Sequence, residues 1–204
     1  MSAYSGAARD YGEGPADVAP IESYTSTTLA RFGQWLQEMD RPEVLDVGPV
    51  CGENISYWAR RVHRLYVCDL FLRLMRDQGR GLGIEKLWRH VDYPAASFDG
   101  IVVWDLPDRL PNQELASLVR LTMGLLRPGG HLVVFALDEH TGGPEVHSFV
   151  IGPEHQVTVR PQPHLRLKWY LRQNREILAR LSAFKPIGSY LYRNGLREFL
   201  FRRP

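Results

Sequence analysis

The stretch Glu43-Val44-Leu45-Asp46-Val47-Gly48-Pro49-Val50-Cys51-Gly52-Glu53-Asn54 decides the fold. Val44 to Val47 is a short apolar run with an acid inside it, which reads as a strand. Ile55, Trp58, Ala59 and Val62 recur at helical spacing immediately afterwards. Between them lies a loop that contains Gly48 and Gly52. A strand that turns through glycines into a helix lets backbone approach a ligand closely and leaves helical N–H groups free to meet it.

Outward from this segment, strands and helices alternate. Towards the N-terminus, Leu29, Phe32, Trp35, Leu36 and Met39 mark an amphipathic helix that ends before Pro42. Residues 1–20 are rich in Gly, Ala, Pro and Asp without periodicity, and are expected to be a mobile tail ahead of a single domain over 21–204. Towards the C-terminus come a strand at Leu65–Cys68 and a helix at Phe71–Asp77, broken by Gly79, Gly81 and Gly83. A third strand is expected at Leu87–Val91, a fourth at Gly100–Trp104, a helix at Gln113–Leu126, and a fifth strand at His131–Leu137 after Pro128-Gly129-Gly130. Runs such as Ile101-Val102-Val103-Trp104 suit strands covered on both faces, as in a parallel sheet. A helix over Gln173–Phe184 then precedes two strands, Gly188–Tyr192 and Leu196–Phe201, joined by Asn194-Gly195. That pair predicts a type I′ hairpin turn. The expected fold is α/β, with a doubly wound, mostly parallel seven-stranded sheet that ends in an antiparallel hairpin. Residues 138–168 form an insertion with its own hairpin, Val146–Ile151 against Gln156–Arg160, either covering a pocket or ornamenting the periphery.

Asp46-x-Gly48-x-Val50-x-Gly52 resembles motif I of the class I methyltransferases, whose pattern is acid-x-Gly-x-Gly-x-Gly. Val50 stands where the middle glycine belongs; an alternative alignment inserts two residues after Gly48 and matches Cys51-Gly52 to the later part of the loop. Ser97–Val103 and Arg127–Val134 are similar to the approaches to that family's fourth and fifth strands. The resemblance implies S-adenosylmethionine as cofactor, held by Asp46, Gly48, Val50 and Gly52. It makes Asp69, at the end of the second strand, the acid for the ribose hydroxyls; the same residue is placed to cap a helix. Asp92 falls where the family often keeps an acid facing the adenine amino group, or is an exposed turn residue. Trp104 and Asp105, at the end of strand four, would face the methyl group, and Asp105, His140 and Tyr170 are the candidates on the acceptor side. The implied activity is methyl transfer to a small molecule or a protein. The rival reading is a non-catalytic methyltransferase-like module that docks an acidic partner.

The rest of the chain narrows these choices. Its 204 residues, 44% hydrophobic and 24% charged, are enough for one domain with a substantial core. Two cysteines, Cys51 and Cys68, suit a reducing compartment, and no apolar run approaches the roughly 18 residues of a membrane span. The expected location is the cytoplasm. Net charge is +2, yet residues 160–204 carry 11 Lys/Arg against Glu176 and Glu198. Such asymmetry marks either an anionic partner or a solvated basic face; nothing beyond charge supports nucleic acid. His140, His147, His155 and His164 have no zinc-ligand spacing, so no metal is expected. Neither a Gly-x4-Gly-Lys loop nor a Gly-x-Ser-x-Gly elbow occurs.

Overall fold

The glycine-loop stretch folds as expected: Glu43–Val47 is a strand and Gly52–Ala59 a helix. The structure, a computed structural model, describes residues 21–80 and 84–204. The expectation for residues 1–20, and the breaks at Gly81 and Gly83, lie outside the described residues. In chain order the elements are β1 (Ile21–Thr25), α1 (Thr27–Gln37), β2 (Glu43–Val47), α2 (Gly52–Ala59), β3 (Arg64–Cys68), α3 (Leu70–Gly79), a 3₁₀ segment (Ile84–His90), β4 (Phe98–Trp104), α4 (Asn112–Leu125), β5 (Leu126–Leu137), β6 (Glu145–Ile151), β7 (Gln156–Arg166), α5 (Asn174–Arg180), β8 (Lys185–Leu191) and β9 (Leu196–Arg202).

The main sheet has six strands in the order β3-β2-β4-β5-β9-β8. β3, β2, β4 and β5 run parallel, while β9 is antiparallel to both β5 and β8. The expected seventh strand is absent among the described residues. The segment proposed for it, Leu87–Val91, lies in the 3₁₀ segment and its exit. There Leu87 and Val91 bury themselves against the sheet face together, and the Trp88 indole N–H donates to Glu114. Side chains that share one face across a short turn satisfy the core without a strand ladder.

The Asn194-Gly195 turn joins β8 to β9 as expected, but it is not type I′. Only Gly195 has positive φ, at +79°; its N–H donates to the Tyr192 carbonyl, and the Tyr192 N–H donates to the Leu196 carbonyl. This is a three-residue turn closed by a left-handed glycine. A Cβ on Gly195 would lie 2.0 Å from Thr141 Oγ1, so space as well as φ requires glycine. The last helix is also shorter than expected, ending at Arg180, because Leu181 and Phe184 turn into the core and lead directly to β8.

Two apolar layers cover the sheet. One face packs Phe71, Leu74, Leu115, Leu118 and Ile177 from α3, α4 and α5. The other packs Leu29, Phe32 and Leu36 of α1 with Tyr57 and Trp58 of α2. Ser26 starts α1 by accepting the Leu29 N–H at 3.0 Å, which satisfies one of its free amides. β6 and β7 join β1 in a second, three-stranded antiparallel sheet, β1-β7-β6, whose first strand the sequence did not suggest. Asn54 on α2 holds this sheet: its amide donates to the Phe149 carbonyl and accepts the Ile151 N–H, each at 2.8 Å. No helix among the described residues is long and apolar enough to cross a membrane.

Candidate functional site

The carboxyl ends of β2, β3 and β4 meet at the glycine loop. Ligand sites of open α/β sheets lie at such ends. Register places Val47 beside Val103, so Trp104 follows next to Gly48. The Trp104 indole leans diagonally across β2, and its N–H donates to Asp46 Oδ1 at 2.5 Å. A Cβ on Gly48 would lie 2.2 Å from Trp104 Cδ1 and 3.2 Å from its Cβ. The open face of Gly48 is therefore filled by an indole. Phe135 and Phe149 stack with that indole at 4.4 and 5.5 Å. Burial pushes the Asp46 carboxyl up to about 7, against the pull of indole N–H groups from Trp104 and Trp58. The Trp58 N–H is directed at this acid without reaching hydrogen-bond geometry.

The outer part of the loop is different. Nothing approaches the Cβ position of Gly52 within 4 Å, and Val50 is 60% exposed. Asp69 sits half-buried at the end of β3. One of its oxygens accepts the Leu72 N–H at 2.8 Å, which caps α3; the other receives only the Val50 N–H, at 3.5 Å. Asp69 therefore caps a helix with one oxygen and presents the other, held only by this long contact, beside the loop. Asp92 is exposed on the way from the 3₁₀ segment to β4 and makes no side-chain hydrogen bond among the described residues. Cys51 and Cys68 are free thiols, both raised by burial, so neither is an activated nucleophile.

Beyond Trp104 the end of β4 is occupied by charge. Asp105, in the left-handed region at φ 45°, is fully buried and pairs with Arg109 at 2.5 Å. Arg109 also donates to the carbonyls of Gly143 and Glu145, on the insertion, at 2.6 and 2.9 Å. Asp108 is buried too, 2.9 Å from Arg197 and 3.7 Å from Arg172. Burial raises the Asp105 carboxyl, and the Arg109 guanidinium opposes that rise. The i, i+4 spacing of Asp105 and Arg109 was visible in the sequence; the pairing of Arg172 and Arg197 with Asp108 was not, since it joins segments about 60 to 90 residues apart.

The structure does not bring the three acceptor-side candidates together. Asp105 is enclosed. His140 is exposed and lines a 420 Å³ cavity with Leu171, Leu191 and Arg197. Tyr170 lines an adjoining cavity of 400 Å³ with Asn112 and Glu176, on the other side of Leu171 and Arg172. His147, half-buried with its Nδ1 unpartnered, is pushed down by burial, which the nearby Asp105 opposes. The basic C-terminal third is partly spent inside: Arg172 and Arg197 serve Asp108, while Arg160 and Arg180 pair with Glu53 and Glu176.

No family model matches the chain, and no curated protein matches it significantly. Solved structures do. The chain is similar to an S-adenosylmethionine-dependent methyltransferase from Clostridium acetobutylicum, with TM-score 0.58 and 10% identity over 86% of this chain and 89% of that one. It is similar to another from Mesorhizobium loti, with TM-score 0.55 and 18% identity over 87% and 98%. A third is the 1,6-didemethyltoxoflavin-N1-methyltransferase of Burkholderia thailandensis, solved with its acceptor and S-adenosylhomocysteine (TM-score 0.52, 17% identity, 86% and 74%). The chain has the class I methyltransferase fold.

Proposed function

We propose that this chain binds S-adenosylmethionine at the carboxyl ends of β3, β2 and β4 and carries methyl transfer to a small-molecule or protein acceptor in the cytoplasm. The observation that carries the reading is the meeting of Asp69 with the crest of the Gly48–Gly52 loop, where the acid's second oxygen accepts only the Val50 N–H, at 3.5 Å. A diol acceptor and exposed loop amides at one place suit a ribose. The similar structures support it: two are S-adenosylmethionine-dependent enzymes and a third was solved with S-adenosylhomocysteine.

The fit is good for the nucleoside and poor for the amino-acid arm, whose path over Gly48 holds Trp104. When bound, the cofactor would supply an electrophilic methyl on sulfur. The protein's own part would be alignment and exclusion of water. Asp105, the acid at the end of β4, is enclosed with Arg109, so proton removal is assigned to no residue.

The Trp104–Gly48 contact favours a second reading, in which the fold serves as a non-catalytic module. Calorimetric titration with S-adenosylmethionine, of the wild type and of Asp69→Ala, tests the first: one-to-one binding that weakens in the variant supports it, and no heat with the wild type or with a Trp104 variant removes it.

A further inference from the structure

We infer that the cleft, as Trp104 closes it, prefers adenine nucleosides lacking the amino-acid arm to S-adenosylmethionine itself, and that Trp104 sets this preference. The inference rests on the S-adenosylmethionine reading above, and it follows from how unequally the two ends of the site are filled. Across the sheet from β3 through β2 to β4, the ribose acid comes first, the glycine loop next and the methyl position last. At the first of these, Asp69 has an oxygen met only by the long Val50 N–H contact, and beside it Gly52 has nothing against it and Val50 turns to solvent. At the Gly48 end of the loop and at the end of β4, Trp104 and the Asp105–Arg109 pair occupy the space beside the backbone.

Three features fill that end. The indole lies on Gly48 and bonds Asp46. Phe135 on β5 and Phe149 on β6 flank the indole, and Asn54 fixes the backbone of β6 at the Phe149 carbonyl and the Ile151 N–H. Beyond it the Asp105–Arg109 pair, tied to the Gly143 and Glu145 carbonyls, closes the end of β4. A ligand that stops at the 5′ sulfur meets none of these. A ligand with an aminocarboxypropyl arm must first turn the indole out of its stack and away from Asp46.

Removal of the indole does more than make room. It leaves the Asp46 carboxylate without its Trp104 donor, and the arm's ammonium is a cation that can replace that donor. Loss of Trp104 should therefore favour the longer ligand in particular.

The test is calorimetry on the full chain with two probes, 5′-methylthioadenosine and S-adenosylhomocysteine, which share the nucleoside and sulfur and differ in the arm. The wild type should bind methylthioadenosine the more tightly. Trp104→Phe keeps a ring in the stack and the atoms nearest Gly48, but it loses the N–H to Asp46, which frees that acid for the arm's ammonium and leaves a smaller ring to displace. It should raise S-adenosylhomocysteine affinity by at least about tenfold and leave methylthioadenosine within about threefold. Trp104→Ala should go further, with thermal unfolding of both variants showing that they are folded; if the alanine form does not fold, the phenylalanine form decides. Equal or tighter binding of S-adenosylhomocysteine by the wild type, or no gain in Trp104→Phe, overturns the inference and leaves the cofactor reading standing. Absence of binding by both probes to every form overturns both.

Discussion

Trp104 and Asp46 are joined across the face of Gly48: the indole N–H of one meets the buried carboxyl of the other at 2.5 Å. The glycine is what permits the contact, since any β-carbon there would overlap the indole. The residue type that the resemblance reserves for a ligand is used here for an internal side chain. This makes Asp46 a structural acid as well as a candidate binding residue.

Asp46 should leave a signature in the pH dependence of stability. Its folded value is raised from 3.8 to about 7. A raised acid holds its proton in the folded state while the unfolded chain has lost it, so its contribution to stability is full below about pH 4. That contribution falls as pH rises to about 7. Asp46→Asn removes the titration and keeps an acceptor for Trp104. The stability of the variant relative to wild type should therefore climb between pH 4 and 7. The climb is a few kcal/mol at most, since each tenfold difference in proton affinity between the folded and unfolded chains is worth roughly 1.4 kcal/mol. His131, lowered to about 4 by burial and by Arg202 and Arg31, works in the opposite sense over the same window, but equally in both proteins. Denaturant unfolding at several pH values checks this; parallel profiles would show that Asp46 is ionised throughout.

Arg109 should be indispensable to the fold. Its guanidinium and the Asp105 carboxylate are both fully buried, and removal of one partner leaves the other charged and desolvated. Arg109→Met should destabilise by about 3–5 kcal/mol at neutral pH. The loss should shrink as pH falls, because an unpaired Asp105 takes up a proton readily once Arg109 no longer opposes its rise. Asp105→Asn in the Arg109→Met background should recover part of the loss. A cost below about 1 kcal/mol, of the order found for exposed pairs, would contradict the buried geometry.

These residues also show what the sequence could and could not convey. The β2–loop–α2 unit, the parallel β4 and β5, and the Asn194-Gly195 hairpin were legible because each is a local pattern of apolar run and turn residue. The six-stranded count was not, since Leu87 and Val91 pack equally well as a strand or as a 3₁₀ turn, and only the missing ladder decides. The joining of β1 to the insertion was equally hidden: its partner, β7, lies more than a hundred residues away. Asp69 was placed correctly at the end of β3, whereas the closure of Gly48 was invisible because it depends on which way Trp104 leans. Nothing local to Asp108 announced Arg172 and Arg197, and their burial takes two of the eleven basic residues of 160–204 out of the surface.

Asp69 is expected to carry two separable roles. Asp69→Ala should lose the cap on Leu72, worth about 1 kcal/mol of stability, and weaken nucleoside binding by at least about 1.5 kcal/mol. Asp69→Ser restores a capping oxygen but not an ionised acceptor. Its thermal midpoint should stay near wild type while its affinity for S-adenosylhomocysteine drops like that of the alanine form. Equal affinity of serine variant and wild type would reduce Asp69 to a cap.

Val50 is the departure from the glycine pattern that the sequence makes most conspicuous, and the structure gives it little to do. Its side chain is exposed, while the volume over Gly48 belongs to Trp104. Val50→Gly therefore removes no side chain from the arm's path. It frees the loop backbone instead, which costs roughly 0.5–1 kcal/mol of order. The Val50 N–H that meets Asp69 is backbone and survives the change, though a looser loop will hold it less well. The net effect on S-adenosylhomocysteine affinity should be a change of less than about threefold in either direction, under 0.7 kcal/mol at about 1.4 kcal/mol per tenfold. In the Trp104→Phe background the change should be just as small, because the two residues act on different parts of the ligand. A tenfold gain from Val50→Gly alone would place the obstruction at the loop crest, and would mean that Trp104 yields to the arm without difficulty.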